Sequence, residues 1–214
     1  ELAGVRFINA YLVDSGNVLV TKRSTPINSQ LRQPRYGSKP SDGGFLVVRP
    51  ADYEEVARDP IALKYLRPYV GTDELLSAIQ RWCLWLVAAK PSELADSPVI
   101  AGRIAQVRDA RLQSKAPSTR AKAATPHLFG QRAALPTASV LGIPEVSSEN
   151  RLFMPVAHLP AGTVVSNKVY SAPDDDGFLF AIASSSMFMA WQKTVGGRLE
   201  SRLSFSNTIV WNNF

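Results

Sequence analysis

Gly197-Arg-Leu-Glu-Ser-Arg-Leu-Ser-Phe-Ser-Asn207 is the stretch of sequence that most constrains the interpretation of this chain. Read with the two-residue period of a β-strand, it places Leu199, Leu203 and Phe205 on one face, with only Ser201 between them. The opposite face carries five polar side chains: Arg198, Glu200, Arg202, Ser204 and Ser206. The pattern predicts a strand that buries its apolar face and presents an unbroken row of hydrogen-bonding groups.

A row of this kind matches the chemistry of base edges. Side chains on one face of a strand repeat every 6–7 Å or so, about two base-pair rises of duplex DNA. Arginine donates in a fork to guanine, glutamate accepts from the cytosine amino group, and serine does either. The alternative is an edge strand that carries charges to resist aggregation.

Six other segments of the chain fit the same family as the tail, and the last of them is its continuation. They are Ile8–Asp14, Tyr36–Gly44, Arg81–Leu86, Ser147–Arg151, Met187–Trp191 and Ser206–Phe214. In this order they resemble the target recognition domain of MmeI-like enzymes, single-chain bacterial restriction-modification proteins that methylate adenine. The resemblance implies a domain that binds double-stranded DNA and positions the target adenine for an adjacent methyltransferase domain. It implies S-adenosylmethionine for the parent enzyme, and Mg²⁺ if a nuclease is present.

The resemblance also implies where bases are read. By position, that role falls on Asn167, Lys168, Glu200, Arg202 and Ser204, and on Glu149, where the spacing varies. The residues alone leave alternatives open, since Glu149 also suits a turn or helix cap, and Glu200 and Arg202 also suit an ion pair. The loop Tyr36–Gly44 is a candidate for packing near the methyltransferase or the flipped base.

A basic run between residues 103 and 122 predicts contacts to DNA phosphates. Six cations stand there against Asp109 alone, with serine and threonine hydroxyls that suit phosphate oxygens. The alternative is a solvated helix face. The candidate phosphate contacts are Arg108, Arg111, Lys115, Arg120, Arg151 and Arg198.

The composition fits a polyanion partner and an apolar core. The net charge is +6, the pI is near 9.6 and 45% of the residues are hydrophobic. The lone Cys83 lies in an apolar run, which predicts a buried, inert thiol and is typical of a reducing cytoplasm. No stretch has the roughly 20 apolar residues of a membrane span, and no signal peptide opens the chain. Because the chain begins at Glu1 without methionine, we expect a piece of a longer protein.

The periodicity predicts an α+β fold with mixed, mostly antiparallel sheets and flanking helices. Residues 1–214 form the recognition domain, as one unit or as two lobes, 1–125 and 126–214. Predicted strands cover 7–13, 17–21, 45–48, 82–87, 152–156, 163–165 and the region of Val140, and predicted helices start at Pro50, Pro60, Ser97, Ala116 and Asp176. The helix from Asp176 is expected to run to about Lys193, with Ser184–Ser186 packed as small residues.

Several residues that could suggest a metal or catalytic site are predicted to be inert. Asp174–Asp176 suits a helix cap better than a metal site, and His127, His158 and Cys83 are too scattered for zinc. The motifs for S-adenosylmethionine and for a flipped adenine are missing, as is a nuclease carboxylate–lysine cluster, so the chain alone is expected not to catalyse. Two alternatives remain: the specificity part of a separate-subunit methyltransferase, which would show a coiled-coil spacer that is not seen, and a non-catalytic protein-interaction or assembly module.

Overall fold

The computed structural model describes residues 4, 7–9, 11–12, 14–17 and 19–214. The described part is an α+β fold, as predicted, with mixed and mostly antiparallel sheets. Its strands are β1 Arg35–Tyr36, β2 Val47–Val48, β3 Leu66–Val70, β4 Trp82–Leu84, β5 Val140–Pro144, β6 Val146–Ser147, β7 Ala157–Leu159, β8 Val164–Val165, β9 Val169–Pro173, β10 Gly197–Leu199 and β11 Arg202–Ser204. Its α-helices are α1 Tyr53–Arg58, α2 Pro60–Tyr65, α3 Thr72–Ser77, α4 Pro91–Asp96, α5 Pro98–Leu112, α6 Pro117–Arg120, α7 Phe178–Ala183 and α8 Ser186–Val195. Short 3-10 turns cover Pro50–Asp52, Ala121–Ala124 and Trp211–Asn213.

The first core is built on the sheet β2-β4-β3-β8, in which β4 is central, as the apolar run at 82–87 predicts. Helix α5 packs Ile100 and Val107 into this core. The helix begins at Pro98 because the hydroxyl of Ser97 accepts the backbone N–H of Ile100 at 3.0 Å, which satisfies a donor that the first turn leaves open. The predicted helix from Ser97 is therefore confirmed.

The second core lies against the antiparallel sheet β1-β9-β5-β7. Helices α7 and α8 and the C-terminal residues supply its apolar side chains. Among the buried ones are Leu141, Ile143, Phe188, Phe205 and Trp211. A third, three-stranded sheet, β10-β11-β6, extends from this core and carries the C-terminal hairpin.

The two cores do not follow the boundary at 125/126. Strand β1 comes from the first half of the chain but pairs with β9, and β8 comes from the second half but pairs in parallel with β3. Phe129 is buried in the first core and Leu31 in the second. A small cluster of valines and leucines, built on β5, β7, β8 and β9, lies apart from both cores. The halves of the chain are therefore interleaved.

Some predicted elements differ in the structure. The predicted strand at 152–156 is a loop, and the strand follows it as β7, while β3 and α3 were not predicted. The hairpin predicted over 7–13 and 17–21 falls partly outside the described residues, since 10, 13 and 18 are not among them, and the described residues of that range form no strand.

The helix predicted over Asp176 to Lys193 is wrong as a single helix. Ser185 is extended and its hydroxyl accepts the N–H of Phe188 at 3.1 Å, so it starts α8. The hydroxyl of Ser184 donates to the carbonyl of Phe180 at 2.7 Å, at the end of α7. These serines divide the helix because their side chains compete with backbone hydrogen bonding.

Candidate nucleic-acid interface

The C-terminal stretch folds as a hairpin, which corrects the predicted continuous strand. β10 and β11 pair antiparallel, with Leu199 opposite Arg202, so Glu200 and Ser201 form a two-residue turn. Glu200 adopts a left-handed backbone with φ of 58°, a conformation typical of such tight turns. Leu203 is buried as predicted, whereas Leu199 is 50% exposed.

The turn also breaks the predicted row of five polar side chains. Residues opposite each other on paired strands share a face, so Arg198 lies on the side of Leu203, its cross-strand partner. Only Arg202 and Ser204 of the row remain on one strand and one face. Ser204 is half-buried, and its carbonyl accepts the side-chain amide of Gln192 at 3.1 Å.

Glu200 and Arg202 form an ion pair at the tip of the hairpin. Arg202 Nη2 lies 2.9 Å from Glu200 Oε2, and both side chains are exposed. An exposed pair of this kind contributes at most about 1 kcal/mol, so a nucleobase can displace either partner. The pairing left open by the sequence is therefore present, and it holds the two side chains together.

Glu149 lies beside this hairpin. β6 pairs with β11, with Ser147 opposite Leu203, and the loop after β6 carries Glu149. Its own backbone N–H and then the hydroxyl of Ser201 lower the pKa of the Glu149 carboxyl, and the charges of Arg198 and Arg202 act in the same direction. A carboxylate and two guanidinium groups therefore gather at this end of the sheet.

Asn167 and Lys168 form the turn between β8 and β9. The Lys168 ammonium lies 3.1 Å from Glu145 Oε2, and the Lys168 carbonyl accepts the N–H of Glu145 at 2.9 Å. The backbone N–H of Asn167 donates to the carbonyl of Ser38 at 3.0 Å. The turn is thus fixed on both sides, by Ser38 in the first half of the chain and by Glu145, the residue that joins β5 to β6.

A cleft of about 300 Å³ brings these segments together. Lys168 lines it from the turn and Arg202 from the hairpin. The remaining lining residues are Gly71, Thr72, Asp73, Arg81, Glu145, Val146, Ser166 and Leu199. Of the six predicted base-reading residues, Lys168 and Arg202 therefore line one cleft, and Glu149 and Glu200 surround Arg202.

Sequence reasoning missed three residues of this cleft. Glu145 joins Tyr36, whose hydroxyl donates to Oε1 at 3.0 Å, to Lys168. Thr72 and Arg81 reach the cleft from the first core. Arg81 opens the segment Arg81–Leu86, which contributes to the family resemblance, and Glu145 directly follows the fully buried strand β5, but neither observation indicated a place in this cleft.

The basic run divides into exposed and buried cations. Arg108, Lys115 and Arg120 are exposed, as phosphate contact requires. Arg111 is only 1% exposed, and its guanidinium donates to five backbone carbonyls: Pro40, Ser41, Lys122, Thr125 and Leu128. Arg111 as a phosphate contact is therefore wrong, because every donor is already used inside the protein.

Two more candidate phosphate contacts are exposed on the second core. Arg151 lies in the loop after β6, and Arg198 lies on β10 with Nη2 donating to the Lys193 carbonyl at 3.0 Å. The charge of Arg198 acts on Glu149 together with that of Arg202, so Arg198 extends positive charge from the cleft along the hairpin.

The loop Tyr36–Gly44 packs on its own domain. Tyr36 stacks on Tyr170 with ring centres 4.0 Å apart, and a Cβ at Gly37 would lie 2.2 Å from the Val165 carbonyl oxygen. Asp42 accepts the N–H groups of Gly44 and Leu46 at 3.0 and 2.6 Å. A role next to another domain remains a prediction.

The groups predicted to be inert have structural roles. Asp174 is buried and accepts the N–H groups of Leu179 and Phe180, both at 3.0 Å, which confirms it as a helix cap. Cys83 is buried, and this burial raises the pKa of its thiol. Within the described ranges, no three His, Cys, Asp or Glu side chains lie close enough to hold a metal ion. The helices described contain none long and apolar enough to cross a membrane.

Comparison with known proteins places this arrangement in a family. The sequence profile of "MmeI, target recognition domain" matches residues 14–214. DNA methyltransferase A of Bacillus subtilis (strain 168) is 34% identical over 208 residues, 97% of this chain and 23% of that protein. The solved structure of the Type IIL restriction-modification enzyme MmeI in complex with DNA matches with a TM-score of 0.89 and 39% identity, over 97% of this chain and 28% of that one. The chain therefore spans about a quarter of the length of these two relatives.

Proposed function

This chain belongs to the MmeI target recognition domain family, and we propose that it reads a short sequence of duplex DNA for an adjacent methyltransferase domain. The observation that carries the proposal is the cleft that Lys168 and Arg202 line together, with Glu149 and Glu200 at its hairpin side. A carboxylate, an ammonium and a guanidinium within one cleft offer both donors and acceptors to base edges.

The cation and the carboxylates at the hairpin tip suit different hydrogen-bonding groups of the bases. Arg202 can donate to guanine, while Glu200 or Glu149 can accept from the amino group of cytosine or adenine. The ion pair between Glu200 and Arg202 holds these two side chains together before DNA arrives. We assign base reading to Glu149, Asn167, Lys168, Glu200, Arg202 and Ser204.

Backbone affinity comes from other cations. The exposed side chains of Arg108, Lys115, Arg120, Arg151 and Arg198 supply charge that does not depend on sequence. The solved structure of MmeI, which holds DNA, supports a DNA partner of this kind for a chain that shares its fold.

The catalytic steps belong to the rest of the parent protein in this proposal. We place this chain in a cytoplasmic, bacterial restriction-modification enzyme whose methyltransferase domain uses S-adenosylmethionine to modify adenine. The chain itself supplies no group to that reaction. The name of the B. subtilis relative, DNA methyltransferase A, supports a methyltransferase parent.

An exchange of the hairpin charges tests base reading in the full-length protein. We expect the double variant Glu200→Lys with Arg202→Asp to shift preference at one position of the recognised site, by the roughly 1–3 kcal/mol that one base contact is worth. The measurement is relative methylation rate over a library of duplexes that differ at single positions. The matched control exchanges another exposed ion pair, Arg49 with Asp52, which lines a separate groove.

The result separates recognition from a structural role. Unchanged relative rates in a folded hairpin variant would show that the tip is structural. A shift in the Arg49–Asp52 control as well would show that the preference responds to surface charge in general.

A gel-shift experiment at several salt concentrations tests the alternative of a protein-interaction or assembly module. A DNA-reading domain loses affinity steeply as salt rises, because bound counterions are released on binding. An interaction module shows no salt-dependent shift of duplex DNA, and that outcome would refute the proposed function.

A further inference from the structure

One wall of the cleft comes from the first core rather than from the hairpin. Gly71, Thr72 and Asp73 line it at the start of α3, and Arg81 lines it just before β4. Thr72 touches the opposite side directly, because its hydroxyl donates to the Lys168 carbonyl at 3.0 Å. The two cores therefore meet across the cleft.

Arg81 is held rigidly in this wall. Its Nη2 donates to Glu74 Oε2 at 2.8 Å, and its guanidinium carbon lies 5.0 Å from the centre of the Tyr69 ring. The Glu74 side chain is only 6% exposed and also accepts the N–H of Gly71 at 2.7 Å. A guanidinium fixed by a buried carboxylate and a ring loses little freedom when it binds a ligand.

Arg81 lines the cleft and keeps unused donors. The side chain is 32% exposed. Its Nη1 donates to no acceptor within residues 19–214 and is not among the buried polar atoms, whereas Nε is buried without a partner. Nη1 therefore keeps both of its N–H groups for an incoming acceptor.

This geometry favours a phosphate over a base. Reading guanine in a fork uses two nitrogens of one guanidinium, and here only Nη1 keeps both N–H groups free, because Nη2 gives one of its two to Glu74 and Nε is buried. A phosphate oxygen accepts a single charge-assisted bond from Nη1. Arg81, Lys168 and Arg202 line the cleft against the carboxylates of Asp73 and Glu145, so three cations face two anions and the net positive charge favours the DNA backbone.

We propose that Arg81 contacts a DNA phosphate without reading sequence, so that the first core positions the duplex while the hairpin and the β8–β9 turn read it. This inference rests on the proposed function. It assigns to Arg81 a part in affinity and register, and to Arg202 a part in preference.

The test compares Arg81→Gln with Arg67→Gln in the full-length protein. Arg67 is a matched control on the neighbouring strand β3, where Nη1 donates to the carbonyls of Lys64 and Leu66, and it does not line the cleft. Affinity is measured at several salt concentrations for a duplex with the recognised site and for one without it. We expect Arg81→Gln to weaken both in parallel and to reduce the slope of log affinity against log salt by about 0.9, and Arg67→Gln to change neither.

Two results overturn the inference: an unchanged slope in folded Arg81→Gln, or a shift in preference at one base position. A second measurement needs no variant. We expect saturating duplex DNA to protect Arg81 of the wild-type protein from phenylglyoxal, read by mass spectrometry, while Arg67 stays reactive. Equal modification of Arg81 with and without DNA would also overturn the inference.

These outcomes are distinguishable from failure of the proposed function. If the wild-type protein shows no salt-dependent binding of DNA, the proposed function fails and this inference fails with it. If wild type binds and the hairpin exchange alters preference while the slope of Arg81→Gln stays unchanged, only the role of Arg81 is wrong.

Discussion

Arg111 shows how one residue in a basic run becomes part of the core. Its five N–H donors meet five carbonyl oxygens at 2.6 to 3.1 Å, which tie residues 40–41 to residues 122–128. Burial lowers the pKa of the guanidinium, and the nearby Asp42 opposes that shift. The side chain therefore joins three segments that have few other hydrogen bonds to one another.

Replacing Arg111 with alanine is expected to destabilise the protein by at least about 3 kcal/mol, because five hydrogen bonds are lost together and the carbonyls of Ser41 and Leu128 lose the donor that Arg111 gives them. Arg108→Ala, one turn earlier on the same helix and exposed, is expected to change the free energy of unfolding by no more than about 0.5 kcal/mol. Urea titrations of both variants provide the measurement. Equal stability of the two variants would contradict the structural role.

Asp174 predicts how stability depends on pH. Burial by itself would raise the pKa of its carboxyl, but the hydrogen bonds with His158, Leu179 and Phe180 outweigh burial and lower that pKa below the ordinary 3.8. A carboxyl with a depressed folded-state pKa stabilises the protein above its ordinary value, and that contribution is lost as pH falls through the folded pKa.

We therefore expect Asp174→Asn to lower the free energy of unfolding by about 1–3 kcal/mol at pH 7, since an amide satisfies the backbone donors poorly. Between pH 7 and pH 3 the variant should lose less stability than wild type, because one depressed carboxyl is missing. Asp176→Asn, at the exposed position two residues on, serves as the control. Identical pH profiles for wild type and Asp174→Asn would refute the assignment.

At the scale of elements, local chemistry decided how much could be predicted. Helix starts with a proline and a capping side chain were predicted well, as at Asp59–Pro60 and Ser97–Pro98, because the capping bond is made within three residues. The turn at Glu200 was missed, since a charged residue in a left-handed conformation carries no turn signature. Arg111 was missed although it lies about 20° from Ile100 on a helical wheel, on the buried side.

The hairpin depends on a close approach at Gly196. A Cβ there would lie 2.1 Å from Gln192 Nε2 and 2.4 Å from the Gln192 carbonyl oxygen. Gln192 is fully buried, and it is the side chain that donates to the Ser204 carbonyl on β11. Helix α8 and the β10–β11 hairpin are therefore coupled through one small residue.

Gly196→Ala is expected to destabilise the protein by about 1–3 kcal/mol, because the new methyl group displaces Gln192. Gly102→Ala makes a matched control within α5, where a Cβ meets nothing within 4 Å, and it is expected to stabilise by about 0.5–1 kcal/mol. Thermal unfolding of both variants gives the comparison. A Gly196→Ala variant as stable as wild type would show that Gln192 does not couple the helix to the hairpin.

At the scale of the whole molecule, the interleaved strands could not be inferred from a linear reading. The pairing of β1 with β9 and of β8 with β3 joins residues more than 90 positions apart, and such pairs leave no local pattern. The cleft is lined by residues from both halves of the chain for the same reason. Thr72 and Arg81 come from the first core, and Lys168 and Arg202 come from segments far along the chain. The candidate base-reading residues were placed by resemblance, and the cleft that Lys168 and Arg202 share emerged only in three dimensions.

The interleaving predicts that the two cores unfold together. Trp82 and Trp85 pack on the first core, and Trp191 and Trp211 on the second, so tryptophan-to-phenylalanine pairs leave a fluorescent probe in one core at a time. In each pair variant we expect the urea transition followed by fluorescence to coincide with the transition followed by far-UV circular dichroism. The reason is that unfolding of either half of the chain takes a strand from the other sheet: the first sheet loses its edge strand β8, or β9 loses its neighbour β1.

A fragment of residues 1–125 serves as the complementary test and is expected to stay unfolded, since it lacks β8 and Phe129. Separate midpoints, or a cooperatively folded fragment, would show instead that the chain consists of independent lobes and that the cleft between their strands is free to open.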